Sequence, residues 1–462
     1  MEQTLEFDRE LIRRYDTSGP RYTSYPTAVQ FSEAFTEADY KRWAAATNAE
    51  RPKPPLSLYF HIPFCDTVCF YCACNKIITK NRRHAVPYLE HLFREIALQG
   101  ELFDADRPVQ QLHWGGGTPT FISHQQMRDL MRATGEHFRL LDDDSGEYSI
   151  EIDPREADAE TIGVLRELGF NRISLGVQDF DPTVQKAVNR IQSEAETRAV
   201  LDAARAEGFR STSVDLIYGL PHQSVASFAA TLDKVIDMDP ARLSVFNYAH
   251  LPEMFKTQRQ INAADLPSSE EKLAILGHTI ERLGQAGYVF IGMDHFARPD
   301  DELAVAQRNG TLYRNFQGYS THAECDLVAM GATSISMVGD SYSQNLKNLE
   351  EYAARIDAGH LPVFRGVELD ADDKLRRAVI TQLICHFELD FAAMERDHGI
   401  DFRDYFAAEL EGMGDFVRDG LIELDGAGIR VLPRGRLLIR NICMQFDRYL
   451  RESRGGRYSK VI

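Results

Sequence analysis

The sequence predicts an α/β chain built on a partial, three-quarter (β/α)6 barrel, with an irregular N-terminal arm and a mostly helical, winged-helix-like C-terminal domain. Three observations carry that reading. Short apolar strands alternate with amphipathic helices from Leu56 to about Met293. Glycines and polar residues recur at the carboxyl end of each strand candidate, where barrels of this kind build their sites. Beyond Gly366 the pattern becomes helical, interrupted by one hairpin. A chain of 462 residues is too long for one average domain, and its 44% apolar content is enough for a real core.

Residues 1–54 form the arm. Leu5 to Tyr15 has helical potential, and Ser18-Gly-Pro-Arg21-Tyr22-Thr-Ser-Tyr25-Pro26 then breaks any helix twice. Two readings stand side by side: an arm packed on the main body, or a substrate strap over the site mouth. Lys41–Pro55 is a helix end and a proline-broken linker.

Residues 55–293 are the barrel. Its strands are expected at Leu56–Ile62, Val109–Trp114, Tyr148–Ile152, Arg172–Val177, Ser213–Ile217 and Leu243–Tyr248, with Tyr288–Ile291 as a possible seventh. The helices are expected at Val86–Leu98, Gln125–His137, Ala159–Leu168, Glu194–Glu207, Ser227–Ile236 and Ser269–Leu283. Residues 294–365 read as a less regular extension. There Arg298 and Arg314 are candidates for carboxylate binding, and small residues around Ile335 suggest tight packing. Residues 366–462 form the C-terminal domain, with helices at Asp370–Cys385, Ala392–His398, Asp401–Arg418 and Pro433–Arg451. Its hairpin, Leu421–Leu432, carries only Arg430 against Glu423 and Asp425, which favours a lid or packing role over DNA binding.

The chemistry concentrates in His61-Ile-Pro-Phe-Cys65-Asp-Thr-Val-Cys69-Phe-Tyr71-Cys72-Ala-Cys74. Four of the seven cysteines fall within ten residues, too close for the paired spacing of a structural zinc site. A thioredoxin-like pair would leave Cys65 and Cys74 unexplained. A short loop carrying Cys65, Cys69 and Cys72 can cap three irons of a cubane and leave the fourth open. Cys325, Cys385 and Cys443 are isolated and read as core thiols.

The other strand ends carry His113-Trp-Gly115-Gly116-Gly117-Thr118, Glu151-Ile-Asp153-Pro154-Arg155, Gln178-Asp-Phe, Asp215-Leu-Ile-Tyr218 and Asn247-Tyr-Ala249-His250. The glycine run removes every Cβ and lets a backbone approach closely. Glu151 and Asp215 are either helix-capping carboxylates or ligand contacts. Arg190 is either a surface arginine or a bidentate partner for a carboxylate. Tyr59 and His61 alternate on one face just before the cysteines, as a half-buried strand face or as working residues.

Composition excludes other classes. Asp and Glu outnumber Lys and Arg by 70 to 52, a net −18 that argues against nucleic-acid binding as the main function. No apolar run reaches membrane-span length, Met-Glu-Gln-Thr-Leu-Glu-Phe-Asp lacks signal-peptide character, and clustered thiols suit a reducing cytoplasm.

The C-x3-C-x2-C run behind an apolar strand resembles the signature of the radical S-adenosylmethionine (SAM) enzymes. That resemblance implies a three-quarter barrel and one [4Fe-4S] cluster on Cys65, Cys69 and Cys72. The open iron would chelate SAM, which is cleaved to a 5′-deoxyadenosyl radical. A wider set is similar to the oxygen-independent coproporphyrinogen III oxidases over nearly the whole chain: Gly19-Pro-Arg-Tyr-Thr-Ser-Tyr-Pro-Thr, His61-Ile-Pro-Phe-Cys, Cys74, His113-Trp-Gly-Gly-Gly-Thr-Pro-Thr, Gly176-Val-Gln-Asp-Phe and Gly435-Arg-Leu-Leu-Ile-Arg-Asn-Ile-Cys. This second resemblance implies oxidative decarboxylation of two propionates of coproporphyrinogen III to vinyl groups in anaerobic heme synthesis.

The resemblance also implies two SAM molecules. Tyr59, Gly116, Glu151 and Ile335 would serve one, and Tyr71, Gly117, Thr118, Gln178, Arg190, Asp215 and Ala249 the other. Tyr59 and His61 would be the catalytic pair, Tyr59 near the methionyl group and His61 as proton shuttle, while Cys74 would not ligate the cluster. A flavodoxin- or ferredoxin-type donor, an unidentified electron acceptor and a monomer are expected. Two alternatives are a heme chaperone of the same superfamily and an iron–sulfur DNA-binding regulator.

Overall fold

The computed structural model describes residues 5–452 together with Tyr458 and Lys460; the first four residues, part of the segment in which no leader is expected, lie outside it. The chain divides into two compact units. One comprises Gln30–Ser268 and Glu324–Glu368, and the other gathers the described residues up to Val29, Ser269–Ala323 and those from Leu369 onward.

The first unit is organised on a sheet whose strands are β1 (Leu56–Ile62), β2 (Pro108–Gly116), β3 (Glu147–Ile152), β4 (Arg172–Gln178), β5 (Ser211–Tyr218), β6 (Arg242–Asn247), β7 (Asp326–Met330), β8 (Ile335–Val338), β9 (Ser341–Asn345) and β10 (Val363–Glu368). The spatial order is β6-β5-β4-β3-β2-β1-β7-β8-β9-β10. Pairing is parallel from β6 to β7 and antiparallel from β7 to β10. The six expected barrel strands are present, each end within two residues of its expected place. Their helices begin at Ser123, Asp158, Ser193 and Ser224, whose side chains accept the first free N–H groups.

Residues 324–368 are a correction. The sequence reads there as irregular, yet β7 lies parallel to β1 and the next three strands continue the sheet from it. Within it β9 is hidden because it is buried throughout while made of Ser-Tyr-Ser-Gln-Asn, a composition that reads as loop. At the amino end of the strands Arg107, with no exposed side-chain surface, pairs with Asp326 at 2.5 Å and donates to Pro54 C=O.

The six barrel strands have two unlike faces. Leu58, Phe60, Ile62, Leu112, Trp114, Ile150, Ile152, Leu175, Val214 and Leu216 are buried. The residues between them are polar or small, so the strands alternate instead of showing the unbroken apolar run of a sheet buried on both faces. Deep on this polar face Ser57 Oγ donates to Gln111 Oε1 at 2.9 Å, and Gln111 Nε2 donates to Glu147 Oε1 at 2.9 Å. One row higher Tyr59, His113 and Ser149 are in register, and His61 pairs with Gly115 above them. A sheet that keeps its inner face polar along this length provides an interior for chemistry rather than a packed core.

In the second unit, helix Ser269–Gln285 precedes the hairpin Val289–Gly292/His295–Ala297, and a second hairpin joins Tyr313–Asn315 to Gly318–Ser320. Helix Ala371–His386 leads to a three-stranded sheet of Glu388–Asp390, Gly428–Val431 and Ile422–Leu424. Tyr22 and Tyr25 of the arm are buried here: Tyr22 OH donates to Asp447, and Tyr25 OH accepts from Arg448 N–H. Two helix expectations are corrected. Asp401–Arg418 is broken into Phe402–Tyr405, Ala407–Glu411 and Gly414–Arg418, and Pro433–Arg451 into Arg436–Leu438, Ile439–Met444 and Arg448–Glu452. The last break falls where Asp447 turns back to accept the N–H groups of Tyr449 and Leu450. Arg298 donates to Ala286 C=O and lies over Tyr288, while Arg314 is buried over Tyr319. Among the described residues no helix is long and apolar enough to cross a membrane.

Candidate active site

The cysteine loop leaves the carboxyl end of β1 and is fixed along its length. Phe64–Cys65 pairs with Ile77–Ile78, and Thr79 N–H donates to Cys65 C=O at 3.0 Å. Phe70 N–H donates to Val188 C=O, and Asn189 Nδ2 to Val68 C=O. Gln258 Nε2 and Thr257 Oγ1 donate to the carbonyls of Tyr71 and Cys72, each at 3.0 Å. Phe70 and Tyr71 pack on the buried group Val184, Val188, Leu220, Tyr248 and Ile261. The loop is therefore preformed, with its aromatic residues serving as anchors.

Each of the three sulfurs meets a donor. Thr118 Oγ1 lies 3.5 Å from Cys65 Sγ, and Arg190 Nη1 and Arg155 Nη2 lie 3.6 and 3.9 Å from Cys69 Sγ. Cys72 is pulled down to about 6 by a hydrogen bond from the Cys74 thiol, with burial opposing and Lys76 assisting. Burial pushes Cys65 up to about 11. Donors placed on all three sulfurs suit a group bound as thiolates and carrying excess negative charge, so the loop fits a [4Fe-4S] cluster. Cys74 is here the hydrogen-bond donor to a neighbouring sulfur.

The glycine run is required by close approach. A Cβ on Gly117 would lie 2.7 Å from Phe64 O and 3.0 Å from Cys65 Sγ; one on Gly116, where φ is +122°, would lie 2.9 Å from the His61 ring. The N–H groups of Gly117 and Thr118 donate to Ile62 and Phe64 carbonyls, each at 2.8 Å, and that of Gly116 to Glu151 Oε2 at 3.1 Å. These N–H groups thus bind the glycine segment to the cysteine loop and to β3.

Behind β1, Tyr88 OH donates to His61 C=O at 2.6 Å and accepts from Ala332 N–H at 3.1 Å. Buried Glu95 accepts from Gly331 N–H, Asn345 Nδ2 and Tyr352 OH. This network fastens the turn after β7 beside His61.

On the polar face, Tyr59 OH donates to His61 Nδ1 at 3.1 Å, leaving His61 Nε2–H for Asn75 C=O at 3.3 Å. Burial lowers the His61 pKa, so its imidazole is neutral at neutral pH. The Tyr59 ring stacks on His113 with centroids 5.8 Å apart. The Glu151 side chain, beside His113, keeps 48% of its surface exposed. Burial opposes its ionisation, but hydrogen bonds from His113 and Gly116 N–H outweigh that and hold its carboxyl below the usual range. Gln178 sits at φ +68° where the β4–β5 register shifts, and its buried Oε1 has no hydrogen-bond partner. Ala249 follows β6. Ile335 opens β8, which pairs with β7, the neighbour of β1.

Asp215 is raised to about 6 by burial and by the Glu151 charge, with hydrogen bonds from Ser244 and Ser174 opposing. Because the folded carboxyl holds its proton more tightly than the unfolded one, this group costs stability above pH 6 and costs nothing below about pH 4. Asp215→Asn is therefore expected to raise the unfolding midpoint at pH 8 by about 1–3 kcal/mol equivalent, an advantage that fades as pH falls from 6 to 4. Thermal unfolding followed across that range checks it; an advantage that grows toward pH 4 contradicts it.

The structure brings Tyr59, His61, Gly116, Gly117, Thr118, Glu151, Arg190, Cys65, Cys69 and Cys72 into one bonded or contacting set. Asp153, Arg155, His113, Thr257 and Gln258 join it without having been assigned a role from sequence. For Asp153 and Arg155 the signal was available, since both lie in the strand-end motif that contains Glu151. Thr257 and Gln258 lie on a 3-10 turn with no strand-end pattern to mark them.

Comparison with known proteins gives consistent results. The radical SAM superfamily profile matches residues 59–235, and the HemN C-terminal domain profile matches residues 369–438. The chain is 57% identical to an oxygen-independent coproporphyrinogen III oxidase of Pseudomonas aeruginosa, over 100% of both chains. It is 52% identical to the protein of that name from Escherichia coli K12, over 100% of this chain and 99% of the other. The solved structure of coproporphyrinogen III oxidase from Escherichia coli, described as a radical SAM enzyme, superposes with a TM-score of 0.92 at 51% identity, covering 97% of this chain and 100% of that one.

Proposed function

The chain belongs to the oxygen-independent coproporphyrinogen III oxidase family, and from that premise we propose that it oxidatively decarboxylates two propionates of coproporphyrinogen III to vinyl groups, giving protoporphyrinogen IX. The observation that carries the reading is the preformed three-cysteine loop, each sulfur met by a donor, at the carboxyl end of β1. A [4Fe-4S] cluster and SAM, when bound, supply abstraction of hydrogen from an unactivated propionate C–H bond, which no acid–base residue could accomplish. Neither the heme chaperone nor the DNA-binding regulator is retained.

Cys65, Cys69 and Cys72 hold the cluster. Tyr59, Gly116, Glu151 and Ile335 are assigned to one SAM, with Glu151 offering a carboxylate kept ionised by its neighbours. Tyr71, Gly117, Thr118, Gln178, Arg190, Asp215 and Ala249 are assigned to a second. Support for that second site comes from two buried polar atoms without protein partners, Gln178 Oε1 and Arg190 Nε, an acceptor and a donor of the kind a zwitterionic cofactor can satisfy. His61, neutral and hydrogen-bonded on both nitrogens, is placed to relay a proton through Tyr59 OH. A reduced flavodoxin- or ferredoxin-type donor, a separate electron acceptor, a monomeric state and a cytoplasmic location complete the proposal.

Two measurements test it. Equilibrium dialysis of the reconstituted enzyme against labelled SAM is expected to plateau at two molecules per chain, and a plateau at one removes the second site. Coproporphyrinogen III labelled at its propionate carboxyls should release labelled CO2 only when cluster, reductant and SAM are all present. Release without SAM, or none with cell extract supplying an acceptor, overturns the reaction.

A further inference from the structure

Asp153, Arg155, Arg190 and Cys69 form one connected group. Arg155 grips Asp153 with two bonds, Nε to Oδ1 at 2.9 Å and Nη2 to Oδ2 at 2.6 Å. Arg190 Nη1 reaches the same Oδ2 at 2.9 Å. Both guanidinium groups also face Cys69 Sγ, at 3.6 Å from Arg190 and 3.9 Å from Arg155. The side chains are largely withdrawn from water, with 18% of Arg155, 10% of Asp153 and 7% of Arg190 exposed. Two cations therefore share one carboxylate, and the fourth member that balances the charge is the Cys69 thiolate. Burial opposes ionisation of Asp153, but the two arginines keep its carboxyl below the usual range.

We propose that Arg155, oriented by Asp153, is a positioning residue for charge at the cluster: it raises the reduction potential of a [4Fe-4S] cluster bound through Cys69. One-electron reduction adds a negative charge to the cluster and its thiolates. A cation fixed beside one of those sulfurs in a poorly hydrated site stabilises the reduced form over the oxidised one. The electron comes from an external low-potential donor, and the quartet itself gains or loses nothing. The proposal rests on the cluster-binding role of the three cysteines.

The test is a redox titration of the anaerobically reconstituted full chain, with dithionite as reductant and the reduced cluster read by electron paramagnetic resonance. Arg155→Gln is expected to shift the reduction equilibrium about tenfold toward the oxidised form, ~59 mV lower. Asp153→Asn, which removes the opposing charge, is expected to move it the other way. Arg155→Lys, which keeps the charge, should stay within about twofold of wild type and serves if the glutamine variant fails to hold a cluster. An unchanged potential in Arg155→Gln, a shift in Arg155→Lys as large as that in Arg155→Gln, or shifts of the same sign in Arg155→Gln and Asp153→Asn overturns the proposal. A wild-type chain that takes up no four-iron cluster would instead overturn the cluster reading beneath it.

Discussion

Cys69→Ser is expected to abolish cluster binding and all turnover, while Cys74→Ser keeps the iron and sulfide content of the wild type. The two cysteines lie on the same loop, so loop damage cannot explain a difference between them. Cys69 is 8% exposed and faces two guanidinium groups. Serine in its place removes a soft thiolate ligand and leaves those cations without the anion that balances them. Cys74 donates a hydrogen bond to Cys72, a role a serine hydroxyl can take over. Iron and acid-labile sulfide counts, with the absorbance of the reconstituted protein, decide it. Full iron content in Cys69→Ser, or loss of the cluster in Cys74→Ser, shows the ligand set to be misassigned.

Gly117→Ala is expected to destabilise the chain by about 1–3 kcal/mol and to impair cluster incorporation at the same time. The added methyl group would meet Phe64 O at 2.7 Å and Pro63 C at 2.9 Å, backbone atoms that cannot swing aside, with Cys65 Sγ at 3.0 Å. Relief requires the cysteine loop to move away from β2, which breaks the bonds from Gly117 and Thr118 N–H to the Ile62 and Phe64 carbonyls. Gly284→Ala is the control. Nothing lies within 4 Å of its added carbon and it sits in a helix, so it should be neutral or stabilising by up to about 1 kcal/mol. Equal stability of the two variants would mean that the glycine run is not held against the loop.

What the sequence discloses and what it hides have physical causes. The six barrel strands and their helices are legible because each repeats an apolar period bounded by turn residues and a polar cap, as at Ser193 and Glu196. The cysteine loop is legible because its ligands are contiguous. β9 is not, since a strand made of Ser-Tyr-Ser-Gln-Asn satisfies its polar groups inside the fold, as Asn345 does with Glu95 and Gly331. The sharing of Asp153 between Arg155 and Arg190 is also hidden, because it joins residues 37 positions apart. The polar inner face lay in view in Ser-Ile-Glu-Ile and Arg-Ile-Ser-Leu-Gly-Val-Gln, where alternation marks a parallel sheet with one face kept for chemistry.

The most direct test of the central claim is the ratio of nucleoside to tetrapyrrole in one anaerobic reaction. The reconstituted enzyme, a reductant, SAM and coproporphyrinogen III are combined with cell extract to supply an acceptor, and 5′-deoxyadenosine and protoporphyrinogen IX are quantified by chromatography. Two nucleosides for each protoporphyrinogen IX is the predicted result, one for each propionate removed. Tight heme binding with no tetrapyrrole turnover, or product formed without nucleoside, would contradict it.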